Sequence, residues 1–222
     1  MPETSDNRYY LAALDLTDQR VLVVGGNDVA AEKVAGLRAA GAAVVVVAPS
    51  ISGEVEALLS EHVQWVERDY QSSDLDGCML AIATTGDDST GQAVARDARS
   101  RNMLVNVADV PALCNFILPA IVRRGPIAVA VSTAGASPAL AQRIRREIGD
   151  MVGPAYADLA AELEALREWA KESLPTYEAR KAFFDSIVNG SPDPIEVLST
   201  GGRDRLLETI EAAKADAMGA AQ

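Results

Sequence analysis

The chain has 222 residues, 49% hydrophobic and 23% charged, enough for one sizeable core with appendages. A net charge of −12 argues against nucleic acid or an anionic membrane as partner, and an anionic substrate would need a local gathering of cations. With one histidine, two cysteines lacking metal-site spacing, no apolar run long enough to span a membrane and no signal-peptide core, the expectation is a cytoplasmic protein without a multi-histidine metal centre.

In chain order, residues 1–7 read as a frayed end and Tyr9–Leu14 as an edge segment leading into the first strand. Val21–Val24 is apolar without alternation, as a strand covered on both faces should be. A helix follows over 29–40, with Val29, Val34 and Leu37 on its apolar side and Gly41 ending it. Ala43–Ala48 is a second strand, closed by Pro49-Ser50, and 52–61 a short helix carrying Val55, Leu58 and Leu59. His62, between that helix and the strand Val63–Val66, reads as solvated. Strand Met79–Ala83, the polar loop 84–89, helix 90–101 and strand Leu104–Val107 complete a β/α alternation that predicts a doubly wound parallel sheet.

Between the first strand and helix stands Gly25-Gly26-Asn27-Asp28-Val29-Ala30. A strand, a glycine turn and a helix start can hold a dinucleotide pyrophosphate on the unpaired amides of the helix N-terminus. The pattern also fits a plain strand-to-helix turn of an α/β protein. Asn27 replaces the second glycine of G-x-G-x-x-G/A; asparagine tolerates positive φ better than most residues, so the turn is expected to survive. In such a sheet the cofactor lies over the carboxyl ends of the strands. That makes Gly25, Gly26, Asn27, Asp28 and Val29 pyrophosphate contacts, Pro49 and Ser50 ribose contacts, and Thr84, Thr85 and Asp87 contacts on the nicotinamide side. The usual acid after the second strand is missing, as is an arginine that would signal NADP.

After Val107 the alternation stops. Asp109-Val110-Pro111 is a turn, and the apolar run Phe116–Val122, the turn Arg123-Arg124-Gly125-Pro126 and the strand Ile127–Ser132 read as a hairpin that needs a cover, a partner subunit being one candidate. Ser137 and Pro138 open a helix over 139–148 bearing Arg143, Arg145 and Arg146. The remainder is helical over 156–173, 177–188 and 203–217, with loops at 189–192 and 199–202 and disorder expected for 218–222. There is no internal repeat.

Five segments together resemble one family: Val21–Val34 (VLVVGGNDVAAEKV), Leu80–Asp88 (LAIATTGDD), Asn106–Pro111 (NVADVP), Cys114–Pro126 (CNFILPAIVRRGP) and Val129–Pro138 (VAVSTAGASP). In family order, and over roughly Tyr10 to Val188, they are similar to precorrin-2 dehydrogenase, the dehydrogenase and sometimes ferrochelatase module of siroheme synthases. The resemblance implies a Rossmann-type NAD-binding domain (1–115), a dimerisation β-hairpin segment (116–150) and a small C-terminal helical domain (151–222), assembled as a homodimer. It implies oxidation of precorrin-2 to sirohydrochlorin with NAD+, and in bifunctional members insertion of Fe2+ as a substrate.

On that resemblance Asp109 is the catalytic carboxylate for both steps; alone, it reads as a turn residue before Pro111. Asn106, Asn115, Arg123, Arg124, Ser132, Thr133, Ser137, Arg143 and Arg146 are the candidates for holding a carboxylate-rich tetrapyrrole. Read alone, the arginines are solvated charges and Ser137 a helix cap. Asn27 and Ala134 stand where the family commonly has glycine. The rival reading is a non-catalytic dimeric sensor of NAD or tetrapyrrole, for which Asp109 would be dispensable.

Overall fold

A computed structural model describes residues 9–220, so the frayed end expected for 1–7 lies outside the described residues. The chain divides after Leu118 into two compact units. In the first, β1 (Arg20–Val24), β2 (Ala43–Ala48), β3 (Val63–Glu67), β4 (Leu80–Ala83) and β5 (Leu104–Val107) form a parallel sheet in the order β3-β2-β1-β4-β5. Alternate residues feed two cores. Val21, Val23, Val44, Val46 and Ile82 pack with Val34 and Leu37 of α1 (Asp28–Ala39), while Leu22, Val24, Val45, Val47 and Ala83 pack with Val94, Ala95 and Ala98 of α3 (Asp88–Ser100). Helices thus cover both faces, and the strand order reverses between β1 and β4, where such sheets open a crevice.

Several local expectations need correction. Val29 is 42% exposed rather than on the apolar side of α1; Ala30 and Ala31 take that place, because the buried arc follows Val34 and Leu37 at helical spacing. The helix expected over 52–61 is the single turn α2 (Gly53–Glu56); Val55 is its one buried residue and Leu59 is 36% exposed, so little apolar burial holds a longer helix together. Tyr9–Leu14 has no regular structure. His62 is solvated, its side chain 62% exposed beside Glu61.

A feature that composition conceals follows β3. Asp74, 8% exposed in a 3-10 turn at Ser72–Leu75, accepts two hydrogen bonds from Arg68 (2.9 and 2.5 Å) and one from the Gln71 amide (2.8 Å). Arg68 above all holds the Asp74 carboxyl below its ordinary range, burial opposing it.

The second unit opens with β6 (Ala120–Arg124) and β7 (Ile127–Val131), an antiparallel pair around Gly125-Pro126. α4 (Pro138–Met151) and α5 (Pro154–Ala165) pack against both strands, so the hairpin takes part of its cover from its own chain, while Arg123, Ala128 and Ala130 stay exposed. α6 (Arg167–Ser173), α7 (Tyr177–Val188), α8 (Pro194–Ser199) and α9 (Arg203–Ala220) complete the unit around Leu166, Ala170, Leu174, Phe183, Ile187 and Ile210. The single helix expected over 156–173 is broken at Leu166, which bonds back to Leu163 and is buried in this cluster without a glycine or proline to mark the break. α8 has its cap and first-turn proline in Asp193-Pro194. The tail expected to be disordered from Met218 is helical to Ala220, carried on by an alanine-rich sequence; residues 221–222 lie outside the described residues. No helix among the described residues is long and apolar enough to cross a membrane.

Asp74→Ala lowers stability to urea unfolding by about 2 kcal/mol at neutral pH, less than a fully buried pair because Arg68 is 36% exposed. Because folding depresses this carboxyl, its contribution is full above the ordinary value of 3.8 and fades as the pH falls through the lower folded value, so the gap between variant and wild type must narrow in acid. Ala134, between β7 and α4, has φ +52°, a left-handed conformation that costs an alanine more than a glycine. Ala134→Gly therefore raises stability by about 0.5–1 kcal/mol, read as a higher melting temperature.

Candidate active site

The crevice is built from bare backbone. Gly25 has φ +117°, and a Cβ there would sit 2.6 Å from Thr84 Oγ1. At Gly26 a Cβ would sit 2.1 Å from the Ser50 carbonyl oxygen. The Gly25 amide donates to Val47 (3.0 Å), the Ser52 amide to Gly26 (2.7 Å) and the Thr84 amide to Val24 (2.8 Å), which draws the ends of β1, β2 and β4 together.

Asn27 departs from expectation. Its φ is −82°, so the left-handed backbone of a glycine is not what this place requires. Its side chain caps α1, accepting from the Ala30 amide (2.9 Å), and donates to the Thr84 carbonyl (2.8 Å). The Asp28 and Val29 amides stay at the open first turn, where a helix offers donors and positive potential to an anion.

Gly25, Gly26, Asn27, Pro49, Ser50, Thr84, Thr85 and Asp87 all line one cavity of about 460 Å³, within the usual range for a small-molecule site. Val29 instead lines an adjoining cavity of about 400 Å³, which shares Asn27, Thr84, Thr85 and Asp87 with the first; Asp28 lines neither. Cavity size, glycine-bare backbone and open helix amides fit a dinucleotide. Asp87 caps α3; hydrogen bonds from Thr90 and Ser89 hold its carboxyl down at about 2. Sequence reasoning missed Asp69 and Tyr70, which line the larger cavity. They follow β3 as Pro49 and Ser50 follow β2, so the strand-end rule applied to β3 finds them. Tyr70 donates to Asp97 (3.1 Å), and burial, with that carboxylate's charge, pushes its phenol well up.

Asp109 lines the adjoining cavity with Val29, Thr84 and Leu113. It is exposed and has φ +61°, a left-handed conformation that aspartate adopts more readily than most non-glycine residues. Its loop is held locally. Asn115 accepts from the Val105 amide (2.7 Å) and donates to the Met103 carbonyl (2.9 Å); Cys114 Sγ accepts from the Val107 amide (3.2 Å); Asn106 donates to the Phe116 carbonyl (3.1 Å). Asn106 and Asn115 thus fasten the loop that carries Asp109 and reach neither cavity.

In the second unit, Arg123, Arg124, Arg145 and Arg146 line a cavity of about 520 Å³ with Asp150 as its only acid. Arg124 is oriented by the Gly149 carbonyl (3.1 Å) and Arg145 by that of Ile121 (2.9 Å). Among the described residues none of these four arginines has a carboxylate partner, whereas Arg143, outside the cavity, pairs with Glu147 at 2.8 Å. Ser132 accepts from the Ala134 amide (3.2 Å), Thr133 Oγ1 from that of Ser137 (3.2 Å), and Ser137 caps α4 through the Leu140 amide (3.2 Å). These three close the loop between β7 and α4.

Comparison with known proteins fits this division. A family profile described as NAD(P)-binding matches residues 12–120, and one described as "Sirohaem biosynthesis protein central" matches 124–151. The siroheme synthase of Pseudomonas entomophila is 40% identical over 86% of this chain and 42% of its own length. That of Thioalkalivibrio sulfidiphilus is 38% identical over 92% of this chain and 42% of its own length, so the chain spans about two fifths of these curated relatives. The solved structure of the precorrin-2 dehydrogenase SirC superposes with a TM-score of 0.75 and 27% identity, covering 92% of this chain and all of SirC. With a matching fold and matched segments on both sides of Leu118, the chain belongs to the siroheme synthase and precorrin-2 dehydrogenase family.

Proposed function

We propose that this chain oxidises precorrin-2 to sirohydrochlorin with NAD+ as the hydride acceptor, a step of siroheme formation. The observation that carries the reading is Asp109, held at φ +61° on the wall of a cavity that shares Asn27, Thr84, Thr85 and Asp87 with the dinucleotide cleft. When bound, the nicotinamide supplies a two-electron acceptor that takes a hydride from a substrate carbon. The chain supplies the rest. The amides of Asp28 and Val29 hold the pyrophosphate, the bare backbone of Gly25 and Gly26 lets it approach, and the Asp109 carboxylate takes the proton that leaves with the hydride.

The same carboxylate suits Fe2+ insertion, which requires pyrrole protons to be removed as the metal substrate enters. Arg123, Arg124 and Arg146, joined by Arg145, are the proposed cations for tetrapyrrole carboxylates, since among the described residues they have no carboxylate partner in a strongly acidic protein. Arg143, Ser132, Thr133 and Ser137 remain candidates for the same role once their internal partners are exchanged for substrate. We take 116–150 as a dimerisation segment and the protein as a homodimer; the two outer strand edges of the β6–β7 sheet have no strand beside them among the described residues, and Met151 is 72% exposed.

Asp109→Ala is expected to abolish NADH formation from anaerobically generated precorrin-2 while NAD+ still binds; turnover within a few-fold of wild type would refute the assignment, and no turnover by wild type that binds NAD+ would favour a sensor. Light scattering at micromolar concentration is expected to give twice the chain mass, and a monomer would refute the dimer.

A further inference from the structure

We infer that Asp69 sets the choice of dinucleotide, accepting the free 2′-hydroxyl of NAD+ and repelling the 2′-phosphate of NADP+. This rests on the proposed cofactor cleft. In a sheet of this kind the adenosine ribose lies over the end of the second strand, where an acid commonly bonds the 2′-hydroxyl. Here β2 runs into Ala48-Pro49-Ser50 and offers no acid. β3 lies parallel to β2 on the side away from β1, and Ala48 is in register with Glu67. Asp69, two residues beyond, therefore emerges beside the end of β2, and it lines the same cavity as Pro49 and Ser50. The neighbouring strand supplies the acid that the second strand lacks.

The charge around it points the same way. The cavity is lined by Asp69 and Asp87 and by no lysine or arginine. Asp87 is engaged by Ser89 and Thr90 at the start of α3. The Asp69 carboxylate has no hydrogen bond or ion pair among the described residues. The adjacent cation, Arg68, is turned to Asp74 through both terminal nitrogens and to the Asp69 backbone carbonyl (2.9 Å). Arg101 is likewise held, on the carbonyls of Asp97 and Ser72. Among the described residues a 2′-phosphate would find an unpaired carboxylate and no free guanidinium at this cavity, whereas a ribose hydroxyl would find an acceptor. Tyr70, anchored to Asp97, fixes the segment from the other side.

Calorimetric titration of the full chain with NAD+ and with NADP+ tests this. Wild type should favour NAD+ by about tenfold or more, the scale of one like-charge contact in a part-solvated site. Asp69→Asn should narrow the ratio, and Asp69→Arg should shift it toward NADP+ by about a hundredfold, with unchanged melting temperature because Asp69 is exposed. Equal binding of the two dinucleotides by wild type, or an unchanged ratio in Asp69→Arg, would overturn the inference and leave the cofactor cleft standing. Failure of wild type to bind either dinucleotide would overturn the cleft as well.

Discussion

Everything at the proposed cofactor cleft depends on how closely three strand ends approach one another. At Gly25 the neighbour is the Thr84 hydroxyl, at Gly26 the Ser50 carbonyl, and neither leaves room for a methyl group. The approach is enforced from both sides, by the paired valines of β1 and β2 and by hydrogen bonds that backbone amides donate across the strand ends. With no side chain at the crossing, the first turn of α1 stands open to the crevice. A larger residue at either position would part the strands before it touched any ligand.

The sheet was legible because its signal is crude and strong. Runs such as Val44–Val47 have no alternative to burial on both faces, and Gly25 and Pro49 close the first two strands. The strand-end rule names Gly25, Pro49 and Thr84, and these three line one cavity. What could not be read was anything decided by packing or by which partner a polar side chain finds. Val29 looks apolar in the helical pattern, yet only packing determines which arc of α1 is covered. Leu166 breaks a helix through tertiary burial, with no local mark. Asp74 lies in a polar stretch that gives no hint of its own burial against Arg68. Asn106 and Asn115 carry the right chemistry for a polar ligand, but their amides are used on the backbone around β5.

The two departures from family glycines resolve differently. Asn27 replaces conformational freedom with a cap and a tie to Thr84, and its backbone needs no positive φ. Ala134 does sit where φ is positive and gains no comparable bond from its methyl side chain. One substitution thus changes how a turn is held, and the other leaves strain in place. Sequence shows both as the same event, a missing glycine.

The loop that carries Asp109 has an effect on the outer rim of the sheet. β5 is an edge strand, and its free side would ordinarily present unpaired amides and carbonyls to any extended chain nearby. Asn115 occupies the Val105 amide and the Met103 carbonyl through its side chain, and bonds the Val105 carbonyl through its own amide (3.0 Å). Cys114 covers the Val107 amide. An incoming strand meets a margin already sealed by the segment that follows β5, so the loop that carries Asp109, the proposed catalytic carboxylate, also guards this edge against edge-to-edge aggregation.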